Sequence, residues 1–241
     1  MSLEGKNILI TGGGVRLGRH IAISLAKAGA NILLHYGRSA AEAQETAEEI
    51  RSLGCKAWLF QADLSDLDSA ARLPLIACEK APIFAIIHNA AIFEPLQLPD
   101  VTPESWQHHM NINLGAPFFI SQAFFQNLKP DETGRIITML DWRALRPGID
   151  HLPYTVSKAA LASLTRSMAI IMAPRVTVNG IALGAILPPN EDTSQEKIIQ
   201  PVPMKRWAKL DELSQTVLFL LDGPEYITGE IIHLDGGRHL V

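Results

Sequence analysis

Tyr154 and Lys158 stand four positions apart. On a helix they share one face, so the ammonium can lie beside the phenol. A cation in that place favours phenolate and pulls a tyrosine pKa down from about 10 toward working pH. That suits a group that hands a proton to a substrate atom being reduced. A second constellation is Thr11-Gly12-Gly13-Gly14-Val15-Arg16-Leu17-Gly18, which follows an apolar run and precedes a helical one. Its spacing departs from a strict G-x-G-x-x-G, but its glycines let the backbone turn tightly and approach a pyrophosphate. The amides and positive end of the helix would face that group. The third is His35-Tyr36-Gly37-Arg38-Ser39, at the end of the next apolar run. A ribose with a free 2′-hydroxyl favours an acid there, and none occurs before Glu42. Arg38 beside a helix start suits a 2′-phosphate, with Arg16 as a second cation and Ser39 as a cap hydroxyl that can also face phosphate. These residues point to NADP(H) rather than NAD(H).

Elements must carry these groups. Residues 7–11 (NILIT), 31–36 (NILLHY), 55–61, 83–88 (IFAIIH), 135–140 (RIITML), 175–181 and 229–234 read as strands. Helical stretches alternate with them. One ends near Gly29, and another is framed by a Ser39-Ala40-Ala41-Glu42 capping box and Gly54. A polar helix follows the third strand, and Thr102-Pro103 opens the next, with Thr as cap and Pro in the first turn. A long helix covers roughly 154–173, stopping before Pro174, and the last covers 211–221. Apolar strands alternating with helices predict a Rossmann-type, doubly wound α/β fold, a parallel sheet of about seven strands in a three-layer sandwich. No repeat or linker interrupts the pattern, so one domain over 1–241 is expected. The stretch from Gly184 to Pro203 carries four prolines and a polar middle, NEDTSQEK. It follows a strand's carboxyl end, where such sheets bind ligands, and reads as a substrate lid.

Composition narrows the field. The chain has 241 residues, 47% of them hydrophobic, enough to bury a core without staples. Cys55 and Cys78 fit no metal or redox spacing. A balance of 21 basic against 25 acidic residues, net −4, argues against a general polyanion partner. The most apolar stretch, Ile83 to Phe93, is broken by His88 and Asn89 and falls short of the roughly 20 residues of a membrane span. No basic start leads into an apolar segment, so no signal peptide is read. The expectation is a cytoplasmic protein with a small-molecule substrate, no nucleic-acid or membrane partner and no metal. His108, His109 and His151 show no ligand spacing; His151, close to Tyr154 in sequence, is a second candidate for the cleft lining but reads first as a surface residue.

Further landmarks are Asp63 after the third strand, Asn89-Ala90-Ala91 after the fourth, Asn113 in the next helix, Ile227-Thr228-Gly229, and Leu234-Asp235-Gly236-Gly237. With the glycine turn and the Tyr154–Lys158 pair, they make the whole chain resemble the short-chain dehydrogenase/reductase family. The resemblance implies that Tyr154 is the general acid, Lys158 holds the nicotinamide ribose, and Asn113 organises a proton-relay water. It implies cofactor contacts at Gly12, Arg16, Leu17, Gly18, His35, Arg38, Ser39, Asp63, Leu64, Asn89, Ala90, Gly184 and Ile186, with Asp63 at the adenine and Asn89 in the groove. It also implies a homotetramer assembled through the helices at 102–128 and 154–173.

Departures from the family pattern carry information. The family usually has Gly where Arg16 stands, Asn-Asn-Ala-Gly where His88-Asn89-Ala90-Ala91 stands, and Pro-Gly where Leu183-Gly184 stands. Its catalytic serine, thirteen residues before the tyrosine, is replaced here by Asp141. An ionised carboxylate repels a developing oxyanion, but it can accept from N–H groups or deliver a proton to a ring nitrogen. Such a group suits reduction of a C=N bond in an amino-substituted heterocycle. Asp141, Arg16, Leu34-His35-Tyr36, Gln61-Ala62-Asp63-Leu64-Ser65 and the terminal Arg238-His239-Leu240 are together similar to one branch, the pteridine reductases and bacterial dihydromonapterin or alternative dihydrofolate reductases. That resemblance implies a dihydropteridine substrate, such as dihydromonapterin, dihydrobiopterin or dihydrofolate. It places Phe93 where an aromatic ring sandwiches the pterin against the nicotinamide. Ala91 stands where pteridine reductases carry a serine. Two other readings are a carbonyl reductase of 3-oxoacyl thioesters or other ketones, for which serine is expected at 141, and a non-catalytic NADP(H)-binding sensor or scaffold. Against the latter stands the joint presence of Asn113, Tyr154 and Lys158.

Overall fold

Ile8, Leu9, Ile10, Ile32, Leu33, Leu34, Ile86 and Ile87 are all wholly shielded from solvent. Runs apolar on both faces can form strands only where helices cover both sides of the sheet. The computed structural model, which describes residues 3–148, 150–187 and 195–241, has that arrangement. Its strands are β1 (Asn7–Ile10), β2 (Asn31–Tyr36), β3 (Ala57–Gln61), β4 (Ala85–His88), β5 (Gly134–Asp141), β6 (Val176–Leu183) and β7 (Ile231–Leu234). Among the described residues they form one seven-stranded sheet in the order β3-β2-β1-β4-β5-β6-β7. Every pair is parallel.

The helices are α1 (Arg16–Lys27), α2 (Ala40–Ser52), α3 (Leu67–Cys78), α4 (Pro103–Met110), α5 (Ala116–Asn127), α6 (Leu152–Met172), α7 (Gln195–Ile199) and α8 (Leu210–Asp222). Ile8, Ile10, Ile32 and Leu34 point into one core with Leu25 of α1, Ile50 of α2 and Leu213 of α8. Leu9, Leu33, Ile86 and Ile136 point into the opposite core with Leu73 of α3, Phe124 of α5 and Met168 of α6. Alternate residues of one strand thus feed two cores, as the period of two requires. Among the described residues, no helix is long and apolar enough to cross a membrane.

Several boundaries differ from the sequence reading. The expected strands at 55–61, 83–88 and 229–234 begin two residues later, and α6 begins at Leu152 rather than 154, with Pro153 in its first turn. Thr102 caps α4 as expected, and the reciprocal partner is Ser105. Ser39 occupies the cap position of α2 but makes no side-chain cap bond. With ψ at 62° it lacks the extended backbone that aims a cap hydroxyl at the helix amides, so the predicted capping box does not form. Between α4 and α5 the chain widens into a π-helical turn, Asn111–Gly115. The expected lid from Gly184 to Pro203 lies partly outside the described residues, at 188–194. Its described parts include the buried Ile186 and Val202 and the short α7.

The order reverses between β1 and β4, so the first half of the chain runs outward to β3 and the second half to β7. The carboxyl ends of β1, β2, β4, β5 and β6 open onto one edge, the crevice where such sheets take their ligands.

Candidate active site

The turn between β1 and α1 is held in a shape that side chains would block. Gly12 has φ +62°, and a Cβ on it would meet the Ala90 backbone at 3.2 Å. A Cβ on Gly18 would run into the Gly12 carbonyl. The turn is tied to the end of β4 by Thr11 Oγ1, which accepts from the amides of Asn89 at 3.0 Å and Ala90 at 3.1 Å. Asn89 Nδ2 donates in return to the carbonyls of Thr11 and Gly12, at 2.9 and 3.0 Å. Asn89 and Ala90 therefore shape the groove through the turn.

His35 departs from the expected direct cofactor contact. Its ring is buried, its Nδ1 accepts from the Gly12 amide at 3.1 Å, and its Nε2 donates to the Ala62 carbonyl at 3.1 Å. Burial lowers its pKa, which keeps the ring neutral and able to accept at Nδ1. It positions the glycine turn from beneath. Arg16 starts α1 with φ +49°, and Arg38 is exposed at the end of β2. Asp63 follows β3, its carboxylate accepting from the Ser65 amide and hydroxyl at 2.8 and 2.7 Å. These bonds, with a smaller contribution from Arg38, hold its pKa below the usual range. Leu64 and Ile186 are buried, Leu17 is half-buried, and Gly184 packs where a Cβ would meet Asp235 at 2.6 Å. A helix start, glycines that admit no Cβ and a cation in place of an acid after β2 fit a phosphorylated dinucleotide.

The second half of the site lies at the ends of β5 and β6. Asp141, the last residue of β5, pairs with Leu183 of β6. Its Oδ2 accepts from the Tyr154 hydroxyl at 3.1 Å, and its Oδ1 accepts from the Arg143 amide at 2.8 Å. The Arg143 guanidinium lies 3.7 Å from the same carboxylate and also pairs with Asp150 at 3.2 Å. Lys158 Nζ donates to the Met139 carbonyl at 2.7 Å, with its nitrogen 5.8 Å from the Tyr154 ring centre. The π-helical turn carries Asn113 inward. Its Nδ2 donates to the Ile92 carbonyl and to Ser157 Oγ, at 3.1 and 3.0 Å, and its Oδ1 accepts from the Ile92 amide at 2.9 Å. Ser157 Oγ donates to the Tyr154 carbonyl at 2.7 Å. Asn113 thus joins the β4 end to the first turns of α6, and Asp141, Tyr154, Lys158 and Asn113 are brought together.

Electrostatics here reverse one expectation. Tyr154 is held well above its ordinary pKa, first by burial and then by the charge and hydrogen bond of Asp141. The spacing to Lys158 suggested the opposite. Lys158 is itself buried, and its own pKa falls to about 8. Burial raises the Asp141 pKa, while the Arg143 amide and guanidinium, Tyr154 and Lys158 pull against it. His88, wholly buried with Nε2 2.8 Å from Ser121 Oγ, is lowered to about 3 and stays neutral.

The Lys158 value carries a consequence for stability. The folded chain gives up this proton near pH 8, whereas the unfolded chain holds it to about 10.5. Stability therefore rises with pH through that window, and below it the buried ammonium costs about 3 kcal/mol. Loss of the bond to the Met139 carbonyl gives back about 1 kcal/mol. Lys158→Met should stabilise the cofactor-free protein by about 2 kcal/mol near neutral pH, with the gain fading toward pH 10.5. Thermal unfolding at a series of pH values checks this, and a variant less stable at neutral pH contradicts it.

Phe93 is half exposed, with its ring centre 4.6 Å from that of Tyr154 and the two planes at 77°. His151 is not the surface residue expected. Its backbone is left-handed at φ +55°, its ring stacks on Phe93 at 3.9 Å, and its Nδ1 lies 3.1 Å from the Asp150 carboxylate. Arg143 and Trp142 were missed as site residues, although both directly follow Asp141. Arg143 lies 4.8 Å from the Trp142 ring centre and 5.7 Å from that of Phe93.

One cluster with metal-ligating residue types also lies near β7. Donor atoms of His233, Asp235 and His239 come within 4.8 Å of one another. The two imidazoles stack at 3.8 Å, which does not aim both lone pairs at one ion. Asp235 already accepts from the Gly237 amide and from both the His239 amide and ring. The cluster therefore clamps the last turn of the chain.

Comparison with known proteins agrees with this geometry. The family model described as enoyl-(acyl carrier protein) reductase matches residues 14–239. The 2-dehydro-3-deoxy-D-gluconate 5-dehydrogenase of Bacillus subtilis (strain 168) is 33% identical over 249 residues, covering 98% of this chain and 95% of that protein. The 3-oxoacyl-[acyl-carrier-protein] reductase FabG of Staphylococcus aureus (strain Mu50) is 28% identical, covering 98% of each chain. Among solved structures, FolM alternative dihydrofolate reductase 1 from Brucella canis, complexed with NADP, superposes with a TM-score of 0.91. It is 32% identical, with 98% of this chain and 95% of that chain covered. The match over nearly the whole length, on the same parallel sheet, places the chain in the short-chain dehydrogenase/reductase family.

Proposed function

We propose that this family member is an NADPH-dependent reductase of a dihydropteridine. The observation that carries the reading is Asp141, whose carboxylate stands 3.1 Å from the Tyr154 hydroxyl where the family pattern expects a serine. The coarser statement, an NADP-dependent oxidoreductase with a small-molecule substrate, rests on the family and on relatives solved with NADP. The likeness to the Brucella alternative dihydrofolate reductases supports the finer one.

In this reading the groove from Gly12 to Gly18 and Arg38 holds the cofactor's phosphates, with Asp63 and Leu64 at the adenine end. Asn89, Ala90, Gly184 and Ile186 flank the nicotinamide half. When bound there, a reduced nicotinamide would supply the hydride for the carbon of a C=N bond. The Tyr154 hydroxyl, kept neutral by burial, supplies the proton that ends on the nitrogen. Asp141 accepts from ring or amino N–H groups and so fixes which nitrogen faces Tyr154. Arg143 opposes the upward pull that burial exerts on that carboxylate. Lys158 lies beneath both groups, and Asn113 holds the start of α6 against β4. Phe93 offers the flat surface for the heterocycle, once His151 yields or the ring's other face is used. Self-association through α5 and α6 belongs to the same reading, supported by Ile170 and Ile171 of α6, which are 80% and 71% exposed.

A second reading, reduction of a 3-oxoacyl thioester or another ketone, is favoured by the likeness to FabG. NADPH oxidation with dihydropterins, dihydrofolate and an acetoacetyl thioester separates the two. Turnover confined to the thioester would overturn the pteridine reading. For the cofactor, Arg38→Ala should weaken NADPH by about tenfold, the worth of one charged hydrogen bond, and NADH far less. Equal weakening of both, measured as KM, would remove the 2′-phosphate from Arg38.

A further inference from the structure

Three arginines gather around Trp142, the residue that follows Asp141. Arg143 is committed, since it pairs with Asp141 and Asp150. Arg238, from the last turn of the chain, lies with its guanidinium carbon 4.8 Å from the Trp142 ring centre. Arg146 is exposed one turn beyond Trp142, its amide bonded to the Trp142 carbonyl. Among the described residues, no carboxylate lies within ion-pairing distance of Arg238 or Arg146. The Arg143 and Arg238 guanidiniums each lie 4.8 Å from the Trp142 ring centre, and the Arg238 pKa is lowered first by burial and then by Arg146 and Arg143.

Arg238 and Arg146 are therefore two cations without an acidic partner among the described residues, on a chain of net charge −4. Like charges held together cost free energy unless an anion joins them. The cofactor's phosphates have their own place at the far side of the sheet edge, at Gly12–Gly18 and Arg38. Trp142 directly follows Asp141, so an anion here would be carried by the molecule that Asp141 receives.

We propose that Arg238 and Arg146, set against Trp142, form an anion subsite at the mouth of the active site, taking a carboxylate or phosphate on the substrate's side chain. The proposal rests on the pteridine reading for the ring that bears this side chain. The preferred substrate is then a dihydropteridine with an acidic tail rather than one with a neutral polyol. A glutamyl tail and a phosphate ester share that chemistry, and substrate choice distinguishes them.

The test is kcat/KM for NADPH-dependent reduction of dihydrofolate, of a phosphorylated dihydroneopterin and of neutral dihydrobiopterin. Arg238→Gln should lower the ratio of acidic to neutral substrate by about tenfold, as loss of one charged hydrogen bond would, and Arg238→Lys should keep most of it. Higher ionic strength should lower the same ratio in the unmodified protein, which needs no variant to fold. The acidic substrate with the larger salt-sensitive ratio identifies the tail. A ratio unmoved by salt and by Arg238→Gln overturns the subsite. So does a change of assembly mass in that variant with the ratio intact, which would make the cluster a contact between copies. If no pteridine is reduced at all, the function falls separately. The subsite is then judged by saturation-transfer NMR of 4-aminobenzoylglutamate on the NADP⁺-loaded protein. A signal lost in Arg238→Gln supports it, and no signal from the unmodified protein overturns it.

Discussion

Tyr154→Phe should lower the rate of hydride transfer by about 10²–10⁴-fold, the usual contribution of a positioned general acid. The phenol is buried, and its hydroxyl faces the Asp141 carboxylate at 3.1 Å, where it can exchange that partner for a substrate nitrogen. Burial and Asp141 hold its proton tightly in the resting site. A proton held this way is not lost to solvent at any working pH. In the proposed reaction it becomes available when substrate N–H groups engage Asp141 and reduce the charge that opposes phenolate. Phenylalanine keeps the ring and its contact with Phe93, so cofactor affinity should change little. Single-turnover NADPH oxidation gives the rate directly. A loss below tenfold would move the proton delivery to Asp141.

Asp141→Ser should lower kcat/KM for dihydropteridines by about 10²–10³-fold, the worth of one or two hydrogen bonds to a charged group. The same change should raise activity on an acetoacetyl thioester, because a hydroxyl donates to a developing oxyanion that a carboxylate repels. A pH signature accompanies it. Asp141 supports the charge on Lys158, whose pKa stands at about 8. Without Asp141 that value falls further, so the high-pH decline of kcat/KM should begin at lower pH in the variant. Lys158 is charged below its pKa, so the active form lies on the acid side. A high-pH limb left in place would mean that Lys158 does not feel Asp141.

The sheet is legible in the sequence because its strands are continuously apolar, and both of their faces found helices. Thr102-Pro103 marks a helix start correctly, since a threonine cap and an early proline satisfy local demands alone. Ser39 carries a similar signal and fails, because an inverse γ-turn centred on it, closed by the Ala40 amide donating to the Arg38 carbonyl at 3.0 Å, sets its ψ at 62°. Tyr154 and Lys158 are legible as a pair from spacing. The sign of the tyrosine shift is not, since it depends on burial and on a carboxylate delivered by β5. His35 looks like a groove residue in sequence. Only the packing of β2 against the glycine turn turns its ring downward. His151 and Phe93 are far apart in the chain, and their stacking follows from a left-handed residue at the start of α6. Arg238 reaches Trp142 through the pairing of β7 with β6, a long-range contact that no local pattern encodes. The π-helical turn that points Asn113 inward likewise left no local mark.

In the proposed function, Asp141 beside Tyr154 directs hydride to a ring C=N bond. The most direct measurement is a competition in one vessel, with NADPH deuterated at the transferable position of the nicotinamide C4, a dihydropteridine and an acetoacetyl thioester at equal concentration. Mass spectrometry then follows where the deuterium goes. Label should appear on the ring carbon of a tetrahydropteridine, with little in the hydroxyacyl product. Deuterium found only in the hydroxyacyl thioester would contradict it.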